Sequence, residues 1–409
     1  MLEHLRVLDL TDERGLLCGR LLADLGADVV QLEPLTGSSA RSAPPTAHGG
    51  AGPSMFWETF AANKRGIALD LDSDEGVATA RELAGRADIM ITSLPEAWLR
   101  ERGLDPDALR AAHPHLITTV ISAFGWTGPK SGYADCDLVV WAAGGPLDPH
   151  RDEERPPLRI SVPQAFLHAS ADAAAGSLIA LHARATTGRG QLVDVSAQAS
   201  LGTATLARVL SHDVGDPQPE WHRQPTAGKD QSGSGAATPN RLKKWRCADG
   251  MVELHLSMGP ASGEFTNRLF AWLHSENAVS DRIAAWDWTT LPQRIADGEV
   301  TEADLAEARA AVADFLATLT KRQVLDAAMK HRLLCMAIFD VADIAASPHL
   351  DERGYWAQVD IDGVPVRIPG TLAHVSGDAQ PRVRRRAPRL GEHTAEVLAD
   401  WLTAQEVSV

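Results

Sequence analysis

Apolar and polar positions alternate in short blocks from the start of the chain. Leu5 to Leu10 (LRVLDL) reads as a strand, Gly15 to Leu25 as a helix stopped by Gly26, and Asp28 to Glu33 as a second strand. Two strands joined through a helix predict a parallel pair. The pattern repeats: strand Ile67 to Leu71, helix Glu75 to Gly85, strand Asp88 to Thr92, helical turns between Glu96 and Ala112, and strand Leu116 to Ile121. This part of the chain therefore predicts an α/β fold with a doubly wound sheet. A loop rich in Ser, Ala, Pro and Gly interrupts it from Pro34 to Ser54, and its length suits a functional or flexible segment.

The most regular stretch runs from Ser161 to Ser196. Ser161 and Gln164 have the spacing of a capping box, and Pro163 suits a first helical turn, where no N–H is needed. Ala and Leu dominate as far as Arg184, Gly188 supplies a left-handed stop, and Gln191 to Ser196 reads as a strand. From Gly215 to Ala237 the chain is polar, as in a linker. Leu242 to Cys247 and Met251 to Leu256 then flank Asp249-Gly250, a hairpin signal. Thr301 opens a helix to about Leu316, and Thr320-x-x-Gln323 another to about His331. Residues 225–330 thus read as a small α+β domain after a large domain over 1–224. Cys335 to Asp340 resumes a strand, Tyr355 to Ile361 and Val364 to Ile368 flank Asp362-Gly363, and the tail from Arg389 to Leu402 ends in a helix.

Composition narrows the function. The 409 residues are 44% hydrophobic and 23% charged, an ordinary globular balance, and the net charge of −15 argues against nucleic acid as a partner. Cys18, Cys136, Cys247 and Cys335 show no CxxC spacing and read as reduced thiols of a cytoplasmic protein. No signal peptide and no membrane-spanning run is evident. There is no G-x-S-x-G, Walker A or HExxH motif, and no metal site is expected. The turn Thr11 to Gly15 (TDERG) lacks G-x-G-x-x-G and reads as a scaffold turn. The basic run Arg382 to Arg386, with Arg389, reads as a solvated face able to touch an anionic ligand or a partner subunit.

Several motifs carry a resemblance. They are AL-x-x-R-x-x-TGRGQ-x-x-DVS (Ala180 to Ser196), Asn63-Lys64-Arg65 ahead of IALDL, the span LADLGADVVQLE ending at Glu33, SAFGWTGP (Ser122 to Pro129), Cys136-Asp137-Leu138, and Ala387 to Thr394. Together they resemble the class III CoA-transferases, whose relatives include formyl-CoA and carnitine CoA-transferases and alpha-methylacyl-CoA racemases. The resemblance implies a Rossmann-like large domain built from both chain ends, with 331–409 completing it, and an interlocked dimer. It implies CoA or an acyl-CoA as substrate with a carboxylic acid acceptor. Arg41, Lys64 and Arg65 would lie at the CoA phosphates, and Gly125 would allow close backbone approach.

In that family an aspartate attacks the acyl-CoA carbonyl, giving a mixed anhydride and then an aspartyl-CoA thioester that passes CoA to the acceptor. Counting back from TGRGQ without gaps, the aspartate position falls on Phe166, which cannot act as a nucleophile. The weak substitutes are His168, Asp172, Asp137 and Gln164. His168 points about 200° round the helix from Phe166, and Asp172 lies about 9 Å further along it. Cys136 stands where racemases carry a histidine, so a two-base racemase is not expected. The family's E-N-F-R-P-G loop falls on Thr92 to Ala97, without its Asn and Arg. The leading expectation is a class III CoA-transferase-like protein, as homodimer or as heterodimer with a paralogue, with an auxiliary or repurposed role. The alternative is a non-CoA biosynthetic enzyme or binding subunit, its pocket lined by Phe166, Leu94 and Trp141.

Overall fold

The computed structural model describes residues 1–50, 52–147, 156–205, 210, 213–215, 243–370, 373–377 and 380–403. In β1 (Arg6–Leu10) successive side chains point to opposite faces, so Val7 enters one apolar layer and Leu8 the other, and both are fully buried. The chain continues through α1 (Leu16–Asp24), β2 (Asp28–Pro34), α2 (Met55–Phe60), β3 (Arg65–Leu69), α3 (Asp74–Arg86) and β4 (Ile89–Thr92). There follow α4 (Glu96–Glu101), α5 (Pro106–Ala112), β5 (Ile117–Ser122), α6 (Asp137–Gly144), α7 (Ala165–Thr187), β6 (Leu192–Ser196) and α8 (Ala197–Ala204).

The six strands lie in the order β3-β2-β1-β4-β5-β6, each neighbour parallel. This is the doubly wound arrangement that the alternation predicts, and strand order reverses between β1 and β4. Val7, Val29, Ile89 and Ile117 pack under residues of α1 and α7. Leu8, Val30, Ile67 and Met90 pack on the other face under α3 and the C-terminal helix Thr394–Leu402, where Trp401 is fully buried.

A charged centre is enclosed within this apolar sheet. Lys64 Nζ lies 2.7 Å from Asp9 Oδ2, and both side chains are 0% exposed. The same ammonium donates to Gln31 Oε1 at 2.9 Å and to the Leu16 carbonyl at 3.0 Å, so all three of its protons have acceptors. Asp9 Oδ1 accepts from Thr11 N and Oγ1 at 2.9 and 2.7 Å, and Gln31 Nε2 donates to the Thr11 carbonyl at 2.9 Å. α1 sits directly on the carboxylate: a Cβ at Gly19 would stand 2.0 Å from Asp9 Oδ2, so only glycine fits there.

The C-terminal segment completes the sheet's outer edge. Gly66 N donates to His393 Nδ1 and Ala68 N to Thr394 Oγ1, at 3.2 and 3.1 Å, which satisfies edge-strand donors of β3. The chain divides into a unit of Met1–Gln224 with His349–Val409 and a unit of Pro225–Pro348. The expected boundary at 330 needs correction. Cys335–Ile338 forms β9 and pairs antiparallel with β8 (Gly250–Leu254), which also pairs β7 (Lys244–Cys247), so the smaller unit retains this strand.

Within the smaller unit, helices Glu302–Ala317 and Lys321–His331 open with the capping boxes that Thr301 and Thr320 predict. A third helix, Gly263–Ser275, was not legible, and its N-cap Ser262 makes no side-chain cap bond. The hairpin also closes one residue early: Cys247 pairs with Gly250, leaving Ala248-Asp249 as the loop. In the larger unit β10 (Trp356–Ile361) and β11 (Val364–Pro369) meet as expected. Asp362 and Gly363 take φ of 51° and 82°, the left-handed pair of a type I′ turn. Beyond Gly215, the expected linker lies outside the described residues. Among the described residues no helix is long and apolar enough to cross a membrane.

Lys64→Met would leave Asp9 buried and unpaired, and should cost about 3–5 kcal/mol, read as a lower urea midpoint. A double variant that also replaces Asp9 by Leu should recover part of that loss. At the C-terminal edge, the Arg386 hydrogen bond holds the Glu392 carboxyl at about 2, below its ordinary 4.5. A depressed folded pKa gives stability above the unfolded value that is lost as pH falls through the folded one. Melting curves of the parent and Glu392→Gln should therefore differ at neutral pH and converge between pH 4.5 and about 2.

Candidate active site at the sheet switch point

Open α/β sheets hold ligands beyond the strand C-termini, at the crevice where strand order reverses. Here that crevice is formed by the residues after β1 and β4. Asp12 N donates to Ser93 Oγ at 3.0 Å, and that hydroxyl donates to Asp12 Oδ1 at 2.7 Å, joining the two strand ends. Asp12 also accepts from Arg14 Nε at 3.1 Å and from Nη2 at 2.6 Å. Arg14 Nη1 reaches Asp135 Oδ2 at 3.2 Å. Burial pulls the Arg14 pKa down, but the hydrogen bond and charge of Asp12 outweigh it, and the net direction is up. The guanidinium is fixed and charged on the rim, with its side chain 25% exposed.

The loop after β5 forms a second wall. Gly125 N donates to Ser122 Oγ at 2.8 Å, and Trp126 N donates to Asp194 Oδ1 of β6 at 2.8 Å. Gly125 takes φ 97° and Gly128 φ 111°, left-handed positions that favour glycine. Phe124 meets Tyr133 edge-on, with ring centroids 6.2 Å apart.

The third wall is the start of α7. Ser170 Oγ donates to the Arg14 carbonyl at 3.1 Å, tying the helix to the β1 turn. The capping box expected from Ser161 and Gln164 does not form: the helix starts at Ala165, and Gln164 is an N-cap without a side-chain bond. Asp137 of α6 takes that role, its Oδ1 accepting from Gln164 N and Ala165 N, both at 2.9 Å. A carboxylate is a strong acceptor for the positive end of a 23-residue helix. Asp137 Oδ2 also lies 3.3 Å from Arg159 Nη1.

The candidates named from sequence separate accordingly. Phe166 lies in the first turn of α7, half-buried against the apolar layer that includes Trp141 and Ala169. Asp137 is committed to the helix cap, and Gln164 contributes its backbone N–H. His168 and Asp172 lie on the exposed side of the helix. Gly125 borders the crevice. The three cations implied for CoA phosphates have partners within the chain. Arg41 forms a two-point contact with Glu33, at 2.6 and 2.7 Å, donates to the Pro388 carbonyl at 3.1 Å and stacks 4.0 Å from the Trp57 ring centre. Lys64 is fully enclosed, which corrects its expected phosphate contact. Arg65 binds Asp28, Glu396 and Asp400, clamping the C-terminal helix.

Asp12, Arg14, Ser93 and Asp135 were missed as a group. TDERG read as a scaffold turn because the proximity of β1 to β4 is a tertiary fact. The available signal was only that both residue groups directly follow predicted strands.

Crevice, sheet order and motif positions agree with one class of protein. Residues 2–394 match the family described as CoA-transferase family III, and the chain belongs to it. Among its curated relatives, it is 29% identical to the succinyl-CoA:(R)-benzylsuccinate CoA-transferase subunit BbsE of Thauera aromatica, over 97% of this chain and 93% of that one. It is 27% identical to the succinate–glutarate CoA-transferase of Agrobacterium fabrum, over 100% of this chain and 97% of that one. Among solved structures, a CAIB/BAIF family protein from Brucella suis superposes with a TM-score of 0.78 at 25% identity, covering 98% of each chain.

Asp137→Ala should remove the α7 cap, a loss of about 0.5–2 kcal/mol. Hydrogen exchange should then accelerate at the amides of Gln164 to His168 while the sheet amides keep their protection. Unchanged exchange there would show that Asp137 does not hold the helix start.

Proposed function

We propose that the chain is an auxiliary subunit of a class III CoA-transferase, handling an acyl-CoA thioester and a carboxylic acid beside a paralogue that supplies the nucleophilic aspartate. What supports this reading is Phe166: counting back from TGRGQ, the family's aspartate position falls on this residue, a half-buried ring packed against the apolar layer. Of the acids named from sequence as substitutes, Asp137 caps α7 and Asp172 faces outward. Two relatives bear names consistent with the idea, one a subunit of a benzylsuccinate CoA-transferase and one the beta subunit of a succinyl-CoA–L-malate CoA-transferase. Their names make succinyl-CoA the first donor to try.

The test is co-expression with an aspartate-bearing class III relative from the same cell. Incubation with succinyl-CoA, quenching with hydroxylamine and peptide mass spectrometry should place the trapped hydroxamate on the partner's aspartate, with none on this chain. Turnover by this chain alone, with an adduct on one of its own side chains, would refute the auxiliary role.

A second reading, a binding subunit that no longer takes CoA, draws on the engagement of Arg41, Lys64 and Arg65 by internal acceptors. Calorimetric titration of the isolated chain with CoA separates the two: saturable binding favours the first, and its absence together with absence from any CoA-transferring complex favours the second.

A further inference from the structure

Arg14 is held unequally on its two sides. Asp12 grips Nε and Nη2 through both carboxylate oxygens, whereas Asp135 makes one bond, to Nη1. A guanidinium carries five N–H donors, so the two on the far side of the fork are not all used by these contacts. The two acids also differ in their support. Asp12 is anchored to Ser93 beside the sheet. Asp135 ends an exposed loop that begins at Gly125 and Gly128, and the Tyr133 ring against Phe124 is one of its few ties. The Arg14–Asp135 bond is therefore the replaceable one. An incoming carboxylate has the same charge and the same planar pair of oxygens as Asp135. The Arg14 carbonyl accepts from Ser170 Oγ of α7, and Phe166 stands one helical turn nearer the start of that helix, supplying an apolar side chain on the same element.

We propose that Arg14 is the recognition residue for the carboxylate of the acid substrate, which binds by displacing Asp135 while Asp12 keeps the guanidinium in place. The location of the acid site rests on the reading of the chain as a CoA-transferase subunit, but the exchange at Arg14 does not need a paralogue or CoA. Asp135 is then a built-in competitor: it holds the guanidinium in a fixed pose when no acid is present and weakens acid binding by the strength of one rim ion pair.

The experiment uses the isolated chain labelled with 15N-arginine, titrated with butyrate and, as the uncharged isostere, butyramide. Butyrate should shift the Arg14 Nε–H resonance, assigned through Arg14→Lys, and butyramide should not. Asp135→Asn should tighten butyrate binding by about two- to fivefold, the change that removing one partly buried, singly bonded ion pair worth up to about 1 kcal/mol allows. Arg14→Lys, which keeps the charge but loses the fork, should weaken it. Equal affinities in parent and Asp135→Asn, an equal response to butyramide, or no response to butyrate in Asp135→Asn would each overturn the proposal. Because no thioester and no partner chain enters the titration, failure of the auxiliary-subunit reading would leave this result standing, and the reverse holds too.

Discussion

The larger unit depends on one ion pair with no access to water. Enclosing an ammonium and a carboxylate in an apolar sheet is expensive, and removing one partner is worse than never having had the pair. Lys64 and Asp9 are tolerated because every donor and acceptor around them is answered: Gln31 and the Leu16 carbonyl for the ammonium, Thr11 for the carboxylate. The pair joins the chain before β3 to β1, across β2, and Gly19 lets α1 close over it. It also reaches the crevice. Thr11, oriented by Asp9 and Gln31, is the residue immediately before Asp12, so the geometry of the switch point is built outward from the buried charge.

Electrostatics in this chain are largely internal. With a net charge of −15, acids outnumber cations, and the arginines near the strand ends are matched by neighbouring carboxylates: Arg14 by Asp12 and Asp135, Arg41 by Glu33, Arg102 by Asp72. An anionic ligand at this edge meets paired guanidinium groups and has to exchange one carboxylate for another to bind. Exchange of this kind selects for shape and register more than for charge alone.

Much of the architecture was legible because it follows from periodicity. Period-two alternation in β1 and the apolar runs of β4 and β5 gave the strands, and Thr301 and Thr320 marked their helices through local cap chemistry. What failed was non-local. Asn63-Lys64-Arg65 was found as a motif, but the role of Lys64 depends on Asp9 and Gln31, brought beside it by sheet pairing. The cap of α7 comes from Asp137 on another helix, and the nearby Ser161 lost the position to it. Cys335–Ile338 reads as a strand from sequence, but its partner, β8, cannot be read from its own residues. The crevice acids and Arg14 are ordinary polar turn residues until β1 and β4 are known to be neighbours.

The cap on α7 also joins two helices into one cooperative step. The carboxylate that answers the first amides of α7 belongs to α6, so the start of the longer helix is settled only when the shorter one has docked beside it. Order at this corner is therefore shared: loosening α6 would fray the first turn of α7, although the two helices are separated along the chain.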